Sequence, residues 1–200
     1  MRKFIWAFII FHFSISVLPA QNISDLDAFE KAIKPGTVLT YDVNTNEKKY
    51  QFVVTLKKLG DEIAFDWKMT EPVNKTGTVL MSANAVAKAD ALLNNFSGGE
   101  SKLEKETSVF ISRKIFNDVS STSSSSIKLN GANDTATVMS NTISEFNFNL
   151  NGNLVSIPGW ELQGGGDIKS TVDVLESFKF PIIFRMDLGW TILLSEIKTP

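Results

Sequence analysis

Ile63-Ala64-Phe65-Asp66-Trp67-Lys68-Met69 alternates large apolar side chains with small or charged ones. Successive side chains of a strand point to opposite faces, so Ile63, Phe65, Trp67 and Met69 share one face and Asp66 and Lys68 the other. A one-residue slip would expose the aromatic side chains and bury the charged ones, so this register enforces itself. Glu71-Pro72 ends the run and Gly60-Asp61 precedes it as a turn. Before that turn, Tyr50, Phe52, Val54 and Leu56 alternate with Gln51, Thr55 and Lys57, and only Val53 interrupts the polar side. Two alternating runs joined by a short turn predict strands, and they place the chain in the mostly-β class.

The pattern extends in both directions. Residues 38–43 and 77–82 read as further strands. Residues 23–34 read as an opening helix: Ser24 caps it, Asp27 adds a partial capping box, Leu26, Phe29 and Ile33 share a face, and Pro35-Gly36 stops it. The alanine-rich stretch 84–95 predicts a second helix, capped by Asn84 and closed by Gly98-Gly99. Residues 107–116, 127–129, 135–139 and 143–150 read as strands. Asn130-Gly131 and Asn151-Gly152 are hairpin signals, because both central positions of such a turn favour positive φ. Phe146, Phe148 and Leu150 face one way. Ser120–Ser126 reads as a flexible loop, and Pro158-Gly159 and Gly164-Gly165-Gly166 as further loops. Residues 180–186 and 190–197 form a last pair around Asp187-Leu188-Gly189.

About eight to ten strands with one or two short helices predict an antiparallel barrel or half-barrel, lipocalin-like or lipoprotein-carrier-like, with a β-sandwich as the alternative. No linker or repeat divides the chain.

Met1-Arg2-Lys3 precedes an apolar run reaching about Val17, and Leu18-Pro19-Ala20 offers a small residue for cleavage. The run carries His12, Ser14 and Ser16 and is short for a membrane span, which takes about 20 apolar residues. The expectation is a signal peptide over residues 1–20, a single β-rich domain over 21–200, no transmembrane segment after cleavage near Ala20, and a secreted or periplasmic product. Losing Arg2 and Lys3 leaves 18 basic against 22 acidic side chains, a net charge of −4. No basic face emerges, so nucleic acid is not an expected partner.

The chain has no cysteine, and its one histidine, His12, lies in the segment expected to be removed. A mature chain without thiol or imidazole excludes disulfides, thiolate metal sites, cysteine nucleophiles and serine–histidine hydrolysis. Asp42-x-Asn44-x-Asn46 begins like a calcium loop, but Glu47 stands where glycine is needed and Val53 where the bidentate glutamate belongs. The glycine-rich stretches at 97–100 and 163–167 lack the Lys-Ser/Thr of a phosphate loop. Glu100, Glu104 and Glu106, interleaved with Lys102 and Lys105, read as a solvated segment. No catalytic residue, metal or cofactor is expected. The candidate ligand-binding residues are aromatic: Phe52, Phe65 and Trp67 on the inner face, and Trp160 and Trp190 beside glycines at loop ends. Each has an alternative reading as core packing.

Phe65-Asp66-Trp67-Lys68-Met69-Thr70 with Gly77-Thr78-Val79, and the closing Phe180-Pro181-Ile182-Ile183-Phe184-Arg185-Met186-Asp187-Leu188-Gly189-Trp190-Thr191-Ile192, resemble a family of secreted Gram-negative bacterial proteins of unknown function. The resemblance transfers no functional residue. By analogy of fold alone, it implies a lipid-carrier-like half-barrel. Asp134-Thr135-Ala136 is similar to an acidic-Thr-small motif that is O-glycosylated in some secreted bacterial proteins.

These readings converge on an extracytoplasmic binding protein of the cell envelope without catalysis, whose partner is a lipid or other apolar or amphipathic small molecule. The alternatives are a structural or interaction module that contacts another envelope protein, and a hydrolase built on two carboxylates.

Overall fold

The alternating run forms β3 (Ile63–Met69) in a computed structural model that describes residues 26–164 and 170–200. Ile63, Phe65 and Trp67 are buried, while Lys68 is exposed. Its neighbours are β2 (Lys49–Lys58) and β4 (Thr76–Met81), both antiparallel. Val54 stands opposite Trp67, and Leu56 opposite Phe65. β1 (Val38–Asn44) continues the sheet beyond β2 and buries Leu39, Tyr41 and Val43.

The second half supplies β6 (Ser124–Lys128), β7 (Ala136–Leu150), β8 (Asn153–Gly164), β9 (Thr171–Leu175), β10 (Ile183–Asp187) and β11 (Thr191–Lys198). Together with β1–β4 and β5 (Gly99–Leu103), they make one mixed sheet of eleven strands among the described residues, in the order β5-β4-β3-β2-β1-β11-β10-β9-β8-β7-β6. β11 is a branch point. Its first residues pair with β10, whereas Glu196 and Ile197 pair in parallel with Asn149 and Leu150 of β7. The sheet thereby bends back on itself into a partly closed, barrel-like ring. Three short helices complete the described part: α1 (Leu26–Ala32), α2 (Ala83–Lys88) and α3 (Arg113–Thr122).

The β7–β8 hairpin changes its buried face along its length. Near its base, Met139, Trp160 and Leu162 are buried. Toward its tip the burial shifts by one residue, to Phe146, Phe148, Leu150, Val155 and Ile157. Strand alternation puts these two sets on opposite faces, so the hairpin serves two cores. The tip joins the core beneath β1–β4, where Phe29 of α1 meets Phe148 edge-on at 6.0 Å. The base joins a second core, where Ile115, Phe116 and Val119 of α3 pack on β8, β9 and β10. Gly159 lies at the crossover. A Cβ there would come within 2.4 Å of the Val174 carbonyl and 2.5 Å of the Phe146 ring. Asn151 and Gly152 turn the hairpin with φ of 52° and 83°, as the Asn-Gly signal predicts.

The mostly-β, barrel-like reading holds, while several local readings change. Residues 107–116 do not form a strand, because the chain becomes α3 at Arg113. Ser112 caps α3, its Oγ accepting from Ile115 N at 3.2 Å. The apolar spacing Ile115, Phe116, Val119 is helical, but its last member sits at the edge of the serine run. That run, read as a loop, is the end of α3 followed by edge strand β6. The second helix stops at Lys88 rather than 95, and Ser82, not Asn84, caps it. Helix propensity loses there to pairing: Ala91 bridges to Lys128 and Leu92 to Thr107. Gly98-Gly99 does not close a helix but leads into β5, which runs parallel to β4.

Pro158-Gly159 is strand, not loop. Counting from the two-residue hairpin, Pro158 occupies a position that does not hydrogen-bond to β7, so its missing N–H leaves that ladder intact, and its carbonyl accepts from Glu176 N at 2.9 Å. Residues 135–139 and 143–150 are one continuous strand, β7, whose face change mimics a break. β9 carries no alternation because both of its faces are covered. The expected signal peptide, the Ser24 cap and Gly165-Gly166 lie outside the described residues. Among the described residues, no helix is long and apolar enough to cross a membrane.

Candidate functional site

β1, β2, β10 and β11 present apolar side chains to one concave region, and the connection between α2 and β5 passes over it. Tyr41, Phe52, Met186, Trp190 and Ile192 line a hollow there, with Leu93, Asn94 and Phe96 from the connection and Ser108 and Val109 from the segment before α3. The hollow is partly enclosed and small, about 40 Å³, which is room for a few water molecules. Its polar groups are few. The Tyr41 hydroxyl donates to the Ile183 carbonyl at 3.0 Å, and burial pushes its pKa well above the usual tyrosine value. Asn94 Nδ2 donates to the Leu129 carbonyl at 2.8 Å and to Asn130 Oδ1 at 3.1 Å.

Val109 has φ of 68°, a left-handed conformation that a β-branched residue adopts only under constraint. Its flanking bridges supply the constraint: Ile183 N donates to the Val109 carbonyl at 2.8 Å, and Phe110 pairs with Ile182.

Of the five aromatic candidates, Phe52 and Trp190 line the hollow. Trp67 lies one layer behind, its ring centre 6.0 Å from that of Phe52 and 5.0 Å from that of Phe96. Its indole Nε1 is buried and has no hydrogen-bond partner among the described residues. Phe65 is fully buried in the first core. Trp160 is not at a loop end: it sits within β8, in the second core, 4.8 Å from Phe116. Sequence reasoning missed Tyr41, Phe96, Met186 and Ile192. Phe96 carried one faint signal, an aromatic residue placed just before a glycine pair.

The acidic groups are arranged otherwise. Glu161, Asp173 and Arg185 stand side by side on β8, β9 and β10. Arg185 Nε is 2.8 Å from Asp173 Oδ2, off the line of a good hydrogen bond, and Arg185 Nη2 is 3.3 Å from Glu161 Oε2. Burial pushes the Asp173 carboxyl up to about 6, against the pull of Arg185. Both acids lie within salt-bridge distance of the same guanidinium. Asp66 is paired with Lys57 at 2.9 Å and accepts from Thr78 at 3.0 Å, and these contacts lower its pKa. Glu106 accepts from Ala132 N at 2.9 Å. Asp42 and Asn44 belong to β1 rather than to a wrapping loop. Among the described residues, no three acidic or histidine side chains gather where a metal ion could sit.

No family model matches the chain, and neither the curated proteins nor the solved structures contain a significant match to it.

Proposed function

We propose that this is a non-catalytic binding protein acting outside the cytoplasm, and that an apolar or amphipathic small molecule binds at the hollow beside Phe52 and Trp190. One observation carries the reading: apolar side chains from four strands and three connections converge on a partly open hollow, next to a strained backbone position at Val109. The basic start and apolar run of residues 1–17 support export. The test is binding of a small apolar fluorophore to protein purified after secretion, together with native mass spectrometry for co-purifying lipid. Phe52→Ala and Trp190→Ala should each weaken binding several-fold. Unchanged binding in both variants would remove the hollow from consideration.

A second reading, an interaction module, draws on a different surface. Phe178 is 53 % exposed and packs edge-on against Phe116 at 5.5 Å, Phe116 packs on Trp160, and Ile143, opposite Trp160 in the ladder, is 77 % exposed. Phe116 and Trp160 are buried, so Phe178 and Ile143 are two exposed apolar side chains over the second core, and they offer anchor points for a protein partner. Site-directed cross-linking from position 143 in the native envelope tests it; a reproducible adduct that Phe178→Ser abolishes is the expected result.

A further inference from the structure

Phe96 stands where a larger guest of the hollow would stand. Its ring centre lies 4.8 Å from that of Phe52 and 5.0 Å from that of Trp67. It therefore fills the gap between a residue of the hollow and the indole behind it. With Phe96 in place, the 40 Å³ that remains is well below the ~150 Å³ of a cavity that accepts a benzene-sized guest. Withdrawing one phenyl ring would free a space of the shape of a ring.

The segment that carries Phe96 is held lightly. On its N-terminal side, Leu93 N donates to the Thr107 carbonyl at 2.8 Å, and Asn94 is tied to Leu129 and Asn130. On its C-terminal side, Gly98 and Gly99 have φ of 94° and 79°, and nothing lies within 4 Å of a Cβ built at Gly99. Between these anchors, residues 95–97 make no hydrogen bond among the described residues. Among the described residues, packing rather than hydrogen bonding holds residues 95–97, and Gly98, with broad backbone freedom, separates them from the paired strand β5.

Trp67 is 4 % exposed, and its Nε1–H has no acceptor among the described residues. Buried donors are almost always paired, and an unpaired one costs free energy that an incoming acceptor would recover. The indole that carries this donor packs directly against the Phe96 ring.

We infer that Phe96 is a displaceable plug, and that the ligand replacing it is a planar aromatic molecule bearing a carbonyl-type acceptor, whose oxygen takes the Trp67 indole proton. This rests on the hollow being the binding site, as proposed above. The plug lowers apparent affinity, because only the fraction of molecules with Phe96 withdrawn can bind.

The probes are 2-acetylnaphthalene and 2-ethylnaphthalene, which match in shape and differ in the acceptor, titrated calorimetrically against the cleaved protein and its variants. Phe96→Ala is expected to tighten both probes about tenfold by removing the closed state. In that background, the acetyl compound should bind about five- to tenfold more tightly than the ethyl compound, the size of one recovered hydrogen bond. Trp67→Phe should abolish this preference. If that variant does not fold, benzothienylalanine at position 67 removes the N–H while keeping the shape. Hollow-dependent binding, lost in Phe52→Ala and Trp190→Ala, with no response to Phe96→Ala overturns the plug. A preference for the acetyl probe that survives loss of the N–H overturns the role of Trp67. Binding that ignores Phe52 and Trp190, or no binding of either probe to any variant, overturns the hollow itself.

Discussion

Trp67 and Gly77 face one another across the β3–β4 ladder, and the indole occupies the space that a side chain at 77 would take. A Cβ at 77 would lie 2.8 Å from two indole carbons and 2.2 Å from the Gly99 carbonyl oxygen. The ring shields the backbone that glycine leaves bare, and β5 approaches β4 closely because no side chain intervenes. Gly77→Ala should therefore destabilise by about 3 kcal/mol, the upper end of overpacking costs, since a backbone carbonyl cannot step aside as a side chain does. Trp67→Ala should cost about 3–5 kcal/mol, a large share of the ~5–15 kcal/mol that holds a domain. The double variant should cost less than the sum, because removing the indole relieves one of the two clashes. Urea titration of the four proteins measures this; a Gly77→Ala variant that unfolds like the parent would refute the close approach of β5.

Ser112 joins two helices. Its hydroxyl donates to the Ala89 carbonyl at 2.5 Å, just past α2, and accepts from Ile115 N at 3.2 Å as the cap of α3. The residue is fully buried. Ser112→Ala leaves a donor and an acceptor unpaired, so a loss of about 2 kcal/mol is expected. Hydrogen exchange should show the loss first in the amides of α3; uniform change across the sheet would mean that the link is not local.

Tyr41→Phe removes one buried hydrogen bond, to the Ile183 carbonyl, and leaves the ring that lines the hollow. Thermal unfolding should register about 1 kcal/mol. Binding of an apolar probe should change less than twofold, because the hydroxyl is already committed to β10. A large loss of binding with unchanged stability would instead assign the hydroxyl to the ligand.

Asp173 gives the fold a pH dependence of defined sign. Its carboxyl titrates at about 6 in the folded chain against an ordinary 3.8, chiefly because it is buried. The folded state thus favours the protonated form. The stability this group contributes is complete below pH 3.8 and is lost as the pH rises to about 6. Allowing for the part-exposed Arg185 and Glu161 beside it, the loss is up to roughly 2 kcal/mol. Asp173→Asn should remove this slope. The difference between parent and variant, followed by urea unfolding from pH 4 to 7, should grow through that window and flatten above it. A constant difference would show that Asp173 titrates normally.

How much of this was legible in the sequence depended on whether one face or two faces of an element are covered. β3, β2 and the tip of β7 pack on one side only, so Phe65, Trp67, Phe52, Phe146 and Phe148 appear in strict alternation. β9 is covered on both sides, and residues 171–175 carry no period to read. β7 exchanges its buried face between Met139 and Phe146, which looks in the sequence like two strands with a gap. α3 was hidden because Val119, its last buried residue, adjoins a serine run that resembles a loop.

The hollow was half legible. Phe52 and Trp190 stood out by residue type, yet type alone did not separate them from Phe65 and Trp160, which are core. Phe96 could not be placed at all, because nothing local fixes residues 95–97; its position comes from Phe52 and Trp67, on strands far away in the chain.

The sequence by itself determined the strand-rich class, the inward faces of the alternating strands, the Asn151-Gly152 turn and the absence of cysteine from the whole chain, since each of these follows from residue type or from spacing within a few neighbours. Only the tertiary structure decided that β11 branches between β10 and β7, that Arg185 comes to lie against both Glu161 and Asp173, and that Phe96 packs against Phe52 and Trp67. Those depend on contacts between residues remote in sequence, whose energies arise only when the chain has already brought the partners together.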